Sequence, residues 1–314
     1  MNKKKVKLIA GVDEVGRGPL AGPVISCAVI LPLNHKIIGL KDSKKLSKKK
    51  REELYPVIIK TAISYGIGRV GEKIIDKINI REATIMSMNI ALDNLSVTPE
   101  FAYIDGEKLK NQKIPNKGVV GGDNLIDSIK AASIIAKVTR DKIMKEYSII
   151  FPHYDFENNN GYGTKKHMEG LVKYKSSPIH RTTFKPVSLN LSSVYWIKKN
   201  NLQSNLAIQL ISLELIKNNY EILKINKDCI NDFSIHVVGI KNKIIHFFHI
   251  KNRSDTESNY LKFSADPILI GKLKYESVKF FIETKTTIRY KFMIGLITLF
   301  NSNPNIQIFE INVK

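Results

Sequence analysis

Four acidic residues are spaced so that a folded chain can bring them to one place. Asp13 and Glu14 stand where the stretch KLIAGV runs into a glycine-rich turn; Asp105 ends the apolar run FAYID, and Asp123 follows GVVGG. Carboxylates at the ends of neighbouring strands converge at one edge of a sheet. Several carboxylates together make a poor structural core, because their charges repel and their desolvation is costly. They make a good cage for a hard divalent cation such as Mg²⁺. Two such ions roughly 3.5–4 Å apart clamp the attacking and leaving oxygens of a phosphodiester. Any one of these acids alone reads as a turn or N-cap residue; it is the group of four that points to metal chemistry.

The turn after Asp13 and Glu14 adds a second element. Gly16, Arg17 and Gly18 allow the backbone to approach a ligand closely, with free amides for a sugar hydroxyl or phosphate and a guanidinium for phosphate. A G-R-G triplet by itself is usually only a turn. Its place three residues after Asp13 gives it weight.

The elements that must position these groups read as mixed α/β. Strands are expected at 7–12, 22–31, 64–70, 101–105 and 118–120, the first two antiparallel because the link between them is short. A helix starts near Ser47, a plausible N-cap, and is expected to bury Leu54, Val57 and Ile58 and to be kinked or interrupted at Pro56. A second helix at 80–95 carries Ile85, Met88, Leu92 and Leu95 at helical spacing, and a long third one spans 126–147.

Taken together, AGVDEVGRGPLAGPV, DSKKLS, IDG, GGD, AASIIAKVTRD and GYGT, in that order and approximate spacing, resemble bacterial ribonuclease HII over residues 6–190, with HRTTFKPV similar to the family's usual ending. The resemblance implies a ribonuclease H-like fold, a mixed five-stranded sheet flanked by helices. It implies metal-dependent cleavage, with Mg²⁺ or Mn²⁺, of RNA in RNA–DNA hybrids and of single ribonucleotides embedded in duplex DNA. The products would be 5′-phosphate and 3′-hydroxyl ends, formed by two-metal hydrolysis. Asp13, Glu14, Asp105 and Asp123 match the family's catalytic, metal-binding acids. Gly16, Arg17 and Gly18 match its loop that senses the ribonucleotide 2′-OH, and Tyr162 its aromatic that stacks on the neighbouring deoxyribose. Lys44 is the expected phosphate contact in DSKKLS. A backbone sensor is physically reasonable, since the 2′-OH alone tells RNA from DNA at a given nucleotide.

Other residues admit two readings. Lys45, Ser133, Lys137 and Arg140 can face substrate or serve packing and solvation. His180 and Arg181 can touch the duplex or belong to a mobile surface turn. Lys48, Lys49 and Lys50 read as a solvated basic face, and Ala131, Ala132 and Ala136 as close helix packing.

The chain has 314 residues, with 50 Lys+Arg against 29 Asp+Glu and 43% hydrophobic residues. That apolar content excludes wholesale disorder, and the length suggests about two domains of roughly 100–200 residues. Two cysteines, Cys27 and Cys229, exclude a disulfide framework and fit a reducing compartment. No secretory signal and no apolar run of about 18 residues is seen, so a cytoplasmic protein with no membrane partner is expected, and a monomer. The net charge of +21 fits a polyanionic partner, although a Lys-, Ile- and Asn-rich composition accounts for it equally well.

The chain is expected to divide into a catalytic domain at 1–190, a Ser- and Asn-rich linker at 191–204, and a small α/β domain at 205–314. Residues 1–190 hold 33 basic and 19 acidic residues, a net of +14, and the rest a net of +7, so charge does not set the boundary. In the second part a helix is expected at 205–218, with Leu206, Leu210, Leu213 and Leu215 or Ile216 on its apolar face. Strands are expected at 233–239, 244–250 and 306–313, and helices at 271–281 and 290–300. FSIHVVG and FFHIKNR weakly resemble the strands of a restriction-endonuclease-like, Holliday-junction-resolvase-like family whose active site is broken here. His236, His249 and Ser234 stand where acids belong, and only Lys251 and Arg253 keep their places. A catalytically dead domain is therefore expected, kept for DNA contact or packing. The alternative is a Zn²⁺ site using His236, His246 and His249. His246 and His249, three apart on a strand, point to opposite faces, which argues against it.

Overall fold

The structure is a computed structural model that describes residues 8–226, 234–253, 267–286, 288–299 and 304–311. Lys7, Cys229, Phe233, Phe300 and Val313, which figure in the expectations above, lie outside them, as does the side chain of Arg253. The chain splits into two compact units. One comprises Met1–Lys145 and His153–Asn190, the other Glu146–Pro152 and Leu191–Lys314. Each is described by itself.

In the first unit the strands are β1 (Ile9–Val15), β2 (Val24–Ile30), β3 (Ser64–Val70), β4 (Phe101–Asp105) and β5 (Asn116–Val119), in one sheet of order β3-β2-β1-β4-β5. β1 pairs antiparallel with β2 and parallel with β4, and β4 pairs parallel with β5. The sheet is thus mixed and five-stranded, and its parallel half carries the acids.

Helices cover both faces. On one, Ile25, Cys27 and Val29 of β2 pack against Leu54 and Ile58 of α1 (Lys48–Thr61) and the Ala131–Ala136 stretch. On the other, Ala28 and Ile30 join Met88, Ala91 and Leu92 of α2 (Glu72–Asp93), with Ile85 and Leu95 partly buried beside them. The alternation along β2 is the period of a strand buried on both faces. α3 is Gly122–Leu125 and α4 is Asp127–Ile150; α5 (Phe156–Asn159), α6 (Lys165–Tyr174) and α7 (Lys185–Ser188) follow.

Two local expectations change. Ser47 does cap α1, its hydroxyl accepting from the Lys50 amide at 3.2 Å, but Pro56 does not interrupt the helix. Pro56 is exposed, so the Glu52 carbonyl it leaves without a helical donor faces the solvent side. Val57 is 45% exposed rather than buried, because Leu54 and Ile58 alone fall in the core stripe. α2 breaks at Asn79 (φ 66°), so its second segment begins at Ile80, close to the expected start.

In the second unit, residues 191–204, expected as a linker, hold the helix α8 (Val194–Lys199), capped by the Ser193 side chain, and the start of α9 (Gln203–Lys217). A second five-stranded sheet follows: β6 (Glu221–Ile225), β7 (Val237–Lys241), β8 (Ile244–Arg253), β9 (Tyr290–Thr298) and β10 (Asn305–Ile311), with α10 (Pro267–Thr284) between β8 and β9. One face packs on α9 through Ala207, Ile208, Ile211 and Leu215, and the other on α10 through Leu269, Leu273 and Phe280. Leu206, Leu210 and Ile216, expected on the apolar face of α9, are only partly buried beside that core.

The described residues 290–299 are not helical. YKFMIGLIT forms β9, parallel to β8 and antiparallel to β10, and buried on both faces from Phe292 onward. A strand covered on both faces is apolar throughout and loses its period of two, so its sequence imitates a buried helix.

Candidate metal and substrate site

β1 and β4 run parallel in a register that pairs Val12 with Ile104. Asp13 and Asp105 are the next residue on each strand, both at a C-terminal end. β5 runs parallel beyond β4, and Asp123 follows it in the first turn of α3. The three aspartates thus come from two adjacent parallel strands, β1 and β4, and from the first turn of α3, which follows the third parallel strand. Side-chain oxygens of Asp13, Asp105 and Asp123 all lie within 4.8 Å of one another. Among the described residues this is the one group of three or more His, Cys, Asp or Glu side chains placed to hold a metal.

Glu14 stands apart from that trio. Successive strand residues point to opposite sides, and Glu14 Oε1 accepts from Arg17 Nη1 at 3.4 Å. It is still close enough to Asp105 for the two charges to repel.

Burial and mutual repulsion set the site's electrostatics. The Asp13 carboxyl is pushed well above its usual range by burial, then by the charges of Glu14 and Asp105, against a hydrogen bond from Ser133. Burial likewise raises Glu14, with Arg17 opposing and Asp105 adding to the rise. Asp105 is raised by burial and by Asp123, while the Gly122 amide, donating to its Oδ1 at 2.8 Å, holds it down. Negative charge is therefore gathered where the protein disfavours it, and a dication would relieve the strain. All-carboxylate oxygen donors suit Mg²⁺ or Mn²⁺.

Lys44 Nζ lies 3.6 Å from Asp123 Oδ2, on a side chain that is mostly exposed. Burial lowers its ammonium, but Asp42, Asp123 and Asp13 outweigh that and hold it above its ordinary value. Asp42 caps the short turn bearing Lys44, its Oδ1 accepting from the Lys44 amide at 2.9 Å. Lys45 Nζ donates to Asn124 Oδ1. Ser133, read above as substrate contact or packing, is buried beside Asp13, with its Oγ 2.8 Å from Ser43 Oγ.

The Gly16–Gly18 turn and Tyr162 meet. Gly16 is buried with φ +97°, and a Cβ there would collide with Arg140 Nε. Arg17 and Gly18 are exposed, and a Cβ on Gly18 would lie 3.5 Å from the Tyr162 ring. Tyr162 is 47% exposed. The turn thus offers exposed backbone next to an exposed aromatic face.

Three basic residues turn inward instead of toward a duplex or solvent. Arg140 and Arg181 are fully buried and His180 nearly so, because each finds backbone or imidazole partners inside the unit. Lys137 pairs with Asp141 at 2.8 Å. Three further residues were not singled out from sequence. His167 bonds the Tyr162 carbonyl and His180. Asp76 accepts four hydrogen bonds from Thr182 and Thr183. Glu72, half-buried at the start of α2, lies near Arg69, Arg181 and Arg140. For His167 the available signal was phase: it shares a helix face with buried Gly170 and Leu171. No local pattern marks the other two.

In the second unit the histidines bind backbone. The Ile250 amide donates to His236 Nδ1 at 2.9 Å, His249 Nδ1 lies 2.8 Å from the Ser234 carbonyl, and His246 Nδ1 lies 3.0 Å from the Ile244 carbonyl. No helix among the described residues is long and apolar enough to cross a membrane.

Comparison with known proteins agrees with this geometry. Residues 10–187 match the family described as Ribonuclease HII. A ribonuclease HII from Enterococcus faecalis is 53% identical over 185 residues, covering 59% of this chain and 72% of its own. The crystal structure of ribonuclease H2 from Pyrococcus horikoshii is similar with a TM-score of 0.51 and 27% identity, over 58% of this chain and 95% of the other.

Proposed function

The chain belongs to the ribonuclease HII family and is a nuclease of the ribonuclease H type, and we propose that it cleaves the RNA strand of RNA–DNA hybrids and single ribonucleotides embedded in duplex DNA. The observation that carries this reading is the pairing of two features at one sheet edge. One is the carboxylate trio; the other is the turn of exposed backbone beside Tyr162.

In this reading Asp13, Asp105 and Asp123, with Glu14 beside them, hold divalent cations, Mg²⁺ or Mn²⁺. When bound, these supply the Lewis-acid chemistry of two-metal phosphodiester hydrolysis, with 5′-phosphate and 3′-hydroxyl products. Lys44 lies beside Asp123 and meets a backbone phosphate of the substrate. Amides of the Gly16–Gly18 turn read the 2′-OH, and Tyr162 stacks on the adjoining sugar. The surrounding positive charge draws in a duplex, so affinity falls with rising salt. The protein acts as a cytoplasmic monomer. Residues 205–314 form a degenerate nuclease-like domain with no metal chemistry of its own, since His236 and His249 use ring nitrogens on the backbone where carboxylates would be needed.

The test is cleavage of a duplex with one embedded ribonucleotide, in Mg²⁺ or Mn²⁺, against the same duplex made entirely of DNA. Cutting one bond at the ribonucleotide supports the reading; equal cutting of both duplexes, or of neither, refutes it.

A further inference from the structure

Two fully buried guanidiniums lie under the proposed sensor. Arg140 donates from Nε to the Pro23 carbonyl (2.9 Å), from Nη1 to Asn160 (2.8 Å) and from Nη2 to Ala21 (3.0 Å). Arg181 donates from Nε to Gly22 (3.0 Å), from Nη1 to Arg17 (2.8 Å) and from Nη2 to Gly16 (2.5 Å) and Gly22 (2.8 Å). All but one of these acceptors belong to the stretch that contains the Gly16–Gly18 turn. The exception, Asn160, lies two residues before Tyr162.

The same two stretches are tied by a second route. The Ser177 amide donates to His180 Nδ1 at 2.9 Å, so that nitrogen carries no proton in the neutral ring. His180 Nε2–H therefore donates to His167 Nε2, 3.0 Å away. His167 then carries its proton on Nδ1 and donates to the Tyr162 carbonyl at 2.8 Å. Leu20 bonds Gly161 directly, amide to carbonyl, at 2.8 Å. Neighbouring residues of one closing segment, His180 and Arg181, thus hold the Tyr162 loop and the glycine turn respectively.

This arrangement is costly to build. Burial and the charge of Arg140 together lower the Arg181 guanidinium to about 9, with Glu72 and Asp76 opposing. Apolar packing of similar volume often replaces buried ionic groups without loss of stability. Apolar side chains, however, offer no donors to fix carbonyls at defined positions, whereas a planar guanidinium fork does. Gly16 lies against Arg140 so closely that only a glycine fits between that side chain and the turn.

We propose that Arg140 and Arg181 are positioning residues for ribonucleotide recognition, locking the Gly16–Gly18 turn and the Tyr162 loop into one rigid sensor for the 2′-OH. The proposal rests on the reading above that these two stretches meet the ribonucleotide. A rigid turn presents its amides at fixed distances to the hydroxyl, and a loosened turn binds ribose and deoxyribose alike.

The experiment uses the full chain and two fluorescent duplexes that differ in one 2′-OH, with binding read by anisotropy in Ca²⁺. Arg181→Lys and Arg140→Lys keep the charge and lose the fork. Each should lower the ribo-to-deoxy affinity ratio roughly tenfold, about the worth of one hydrogen bond to the hydroxyl. Affinity for the all-DNA duplex and calorimetric Mg²⁺ affinity should stay at wild-type values. Backbone amides at 16–22 and 160–162 should exchange faster with solvent deuterium in both variants. A wild-type ratio in either folded variant overturns the proposal, as does an equal fall in both affinities, which marks a merely structural role. If Arg181→Lys does not fold, Arg140→Lys decides, and unchanged amide exchange there also overturns it. A wild-type protein with no preference for the ribonucleotide overturns the functional reading and this proposal together. A wild-type preference that survives in the variants overturns this proposal alone.

Discussion

Asp13 and Asp105 sit side by side, each one residue beyond the paired Val12 and Ile104 on parallel strands. Parallel pairing is what brings two like charges from distant parts of the chain to the same height at the sheet edge. An antiparallel pairing of β1 with β4 would send Asp105 to the opposite end. The cost shows in the raised carboxyls, and under the function proposed above it is the cost of a preorganised metal cage.

Replacing Asp13 by Asn should separate function from stability. Cleavage of a ribonucleotide-containing duplex should fall by about 10³-fold or more, since a lost metal ligand removes several kcal/mol of charge stabilisation. Without metal the variant should be more stable by about 1 kcal/mol, a rise of roughly 2–4 °C in melting temperature, because repulsion with Glu14 and Asp105 is relieved. Single-turnover cleavage and thermal unfolding check the two halves. Undiminished cutting would remove Asp13 from the site.

Metal should matter more as pH rises. Asp13, Glu14 and Asp105 have folded-state pKa values above their ordinary 3.8, 4.5 and 3.8. Above those ordinary values the unfolded chain has released protons that the metal-free folded site still holds, so this contribution to stability is lost as pH climbs through the raised values. Under the proposed function, Mg²⁺ should bind the deprotonated site and restore it, by about 2.7 kcal/mol at a hundredfold excess over its Kd. Thermal unfolding with and without Mg²⁺ should show a larger gain at pH 8 than at pH 5. An equal gain at both would disprove the coupling.

His180 has the opposite sign. Burial, then the nearby His167, lowers it from 6.5 to about 3. The unfolded chain therefore takes up a proton first on acidification. The stability that His180 contributes is complete above about pH 6.5 and is lost as pH falls toward about 3. The effect is on the order of a few kcal/mol. His180→Gln should cost stability at pH 7 and show a flatter decline on acidification, measured as the stability difference from wild type across pH 4–7 in metal-free buffer. Parallel curves for the two proteins would contradict it.

Gly16→Ala should be far worse than Gly39→Ala, although both glycines have positive φ. The Gly39 site leaves a methyl group at ordinary contact distance from Lys50, so only backbone strain of roughly 1 kcal/mol is expected there. At Gly16 the methyl meets Arg140 Nε and the Pro23 carbonyl, and the turn must shift. Chemical denaturation should show roughly 1–3 kcal/mol of extra destabilisation, and cleavage should drop with it. Equal losses at the two positions would show that the turn yields easily.

Much of the first unit was legible from local pattern. FAYID is a strand with the expected bounds, Ser47 caps its helix, and Asp13, Asp105 and Asp123 converge as their places at or after strand ends suggest. The pattern fails where burial is two-sided or partners are remote. β9 looks like a helix because both of its faces are covered. Val57 looks like core because period alone does not tell how wide the buried stripe is. Arg140, His180 and Arg181 look like surface cations because nothing near them in the chain announces that Pro23, His167 and Gly16, respectively, will supply partners.

The sequence by itself determined which groups are chemically able to act: acids at the ends of apolar runs, a glycine turn beside the first of them, and an aromatic farther on. Residue type and short-range spacing carry that information, since strand ends and turns are local events. Only the tertiary structure decided that three of the acids share one cage while Glu14 turns toward Arg17. It also decided that two arginines lie beneath the turn rather than above a duplex. Those outcomes depend on strand register and on contacts spanning more than a hundred residues, such as Arg140 to Pro23 and Arg181 to Gly16. A buried charge finds its partners only when the whole sheet has closed around it.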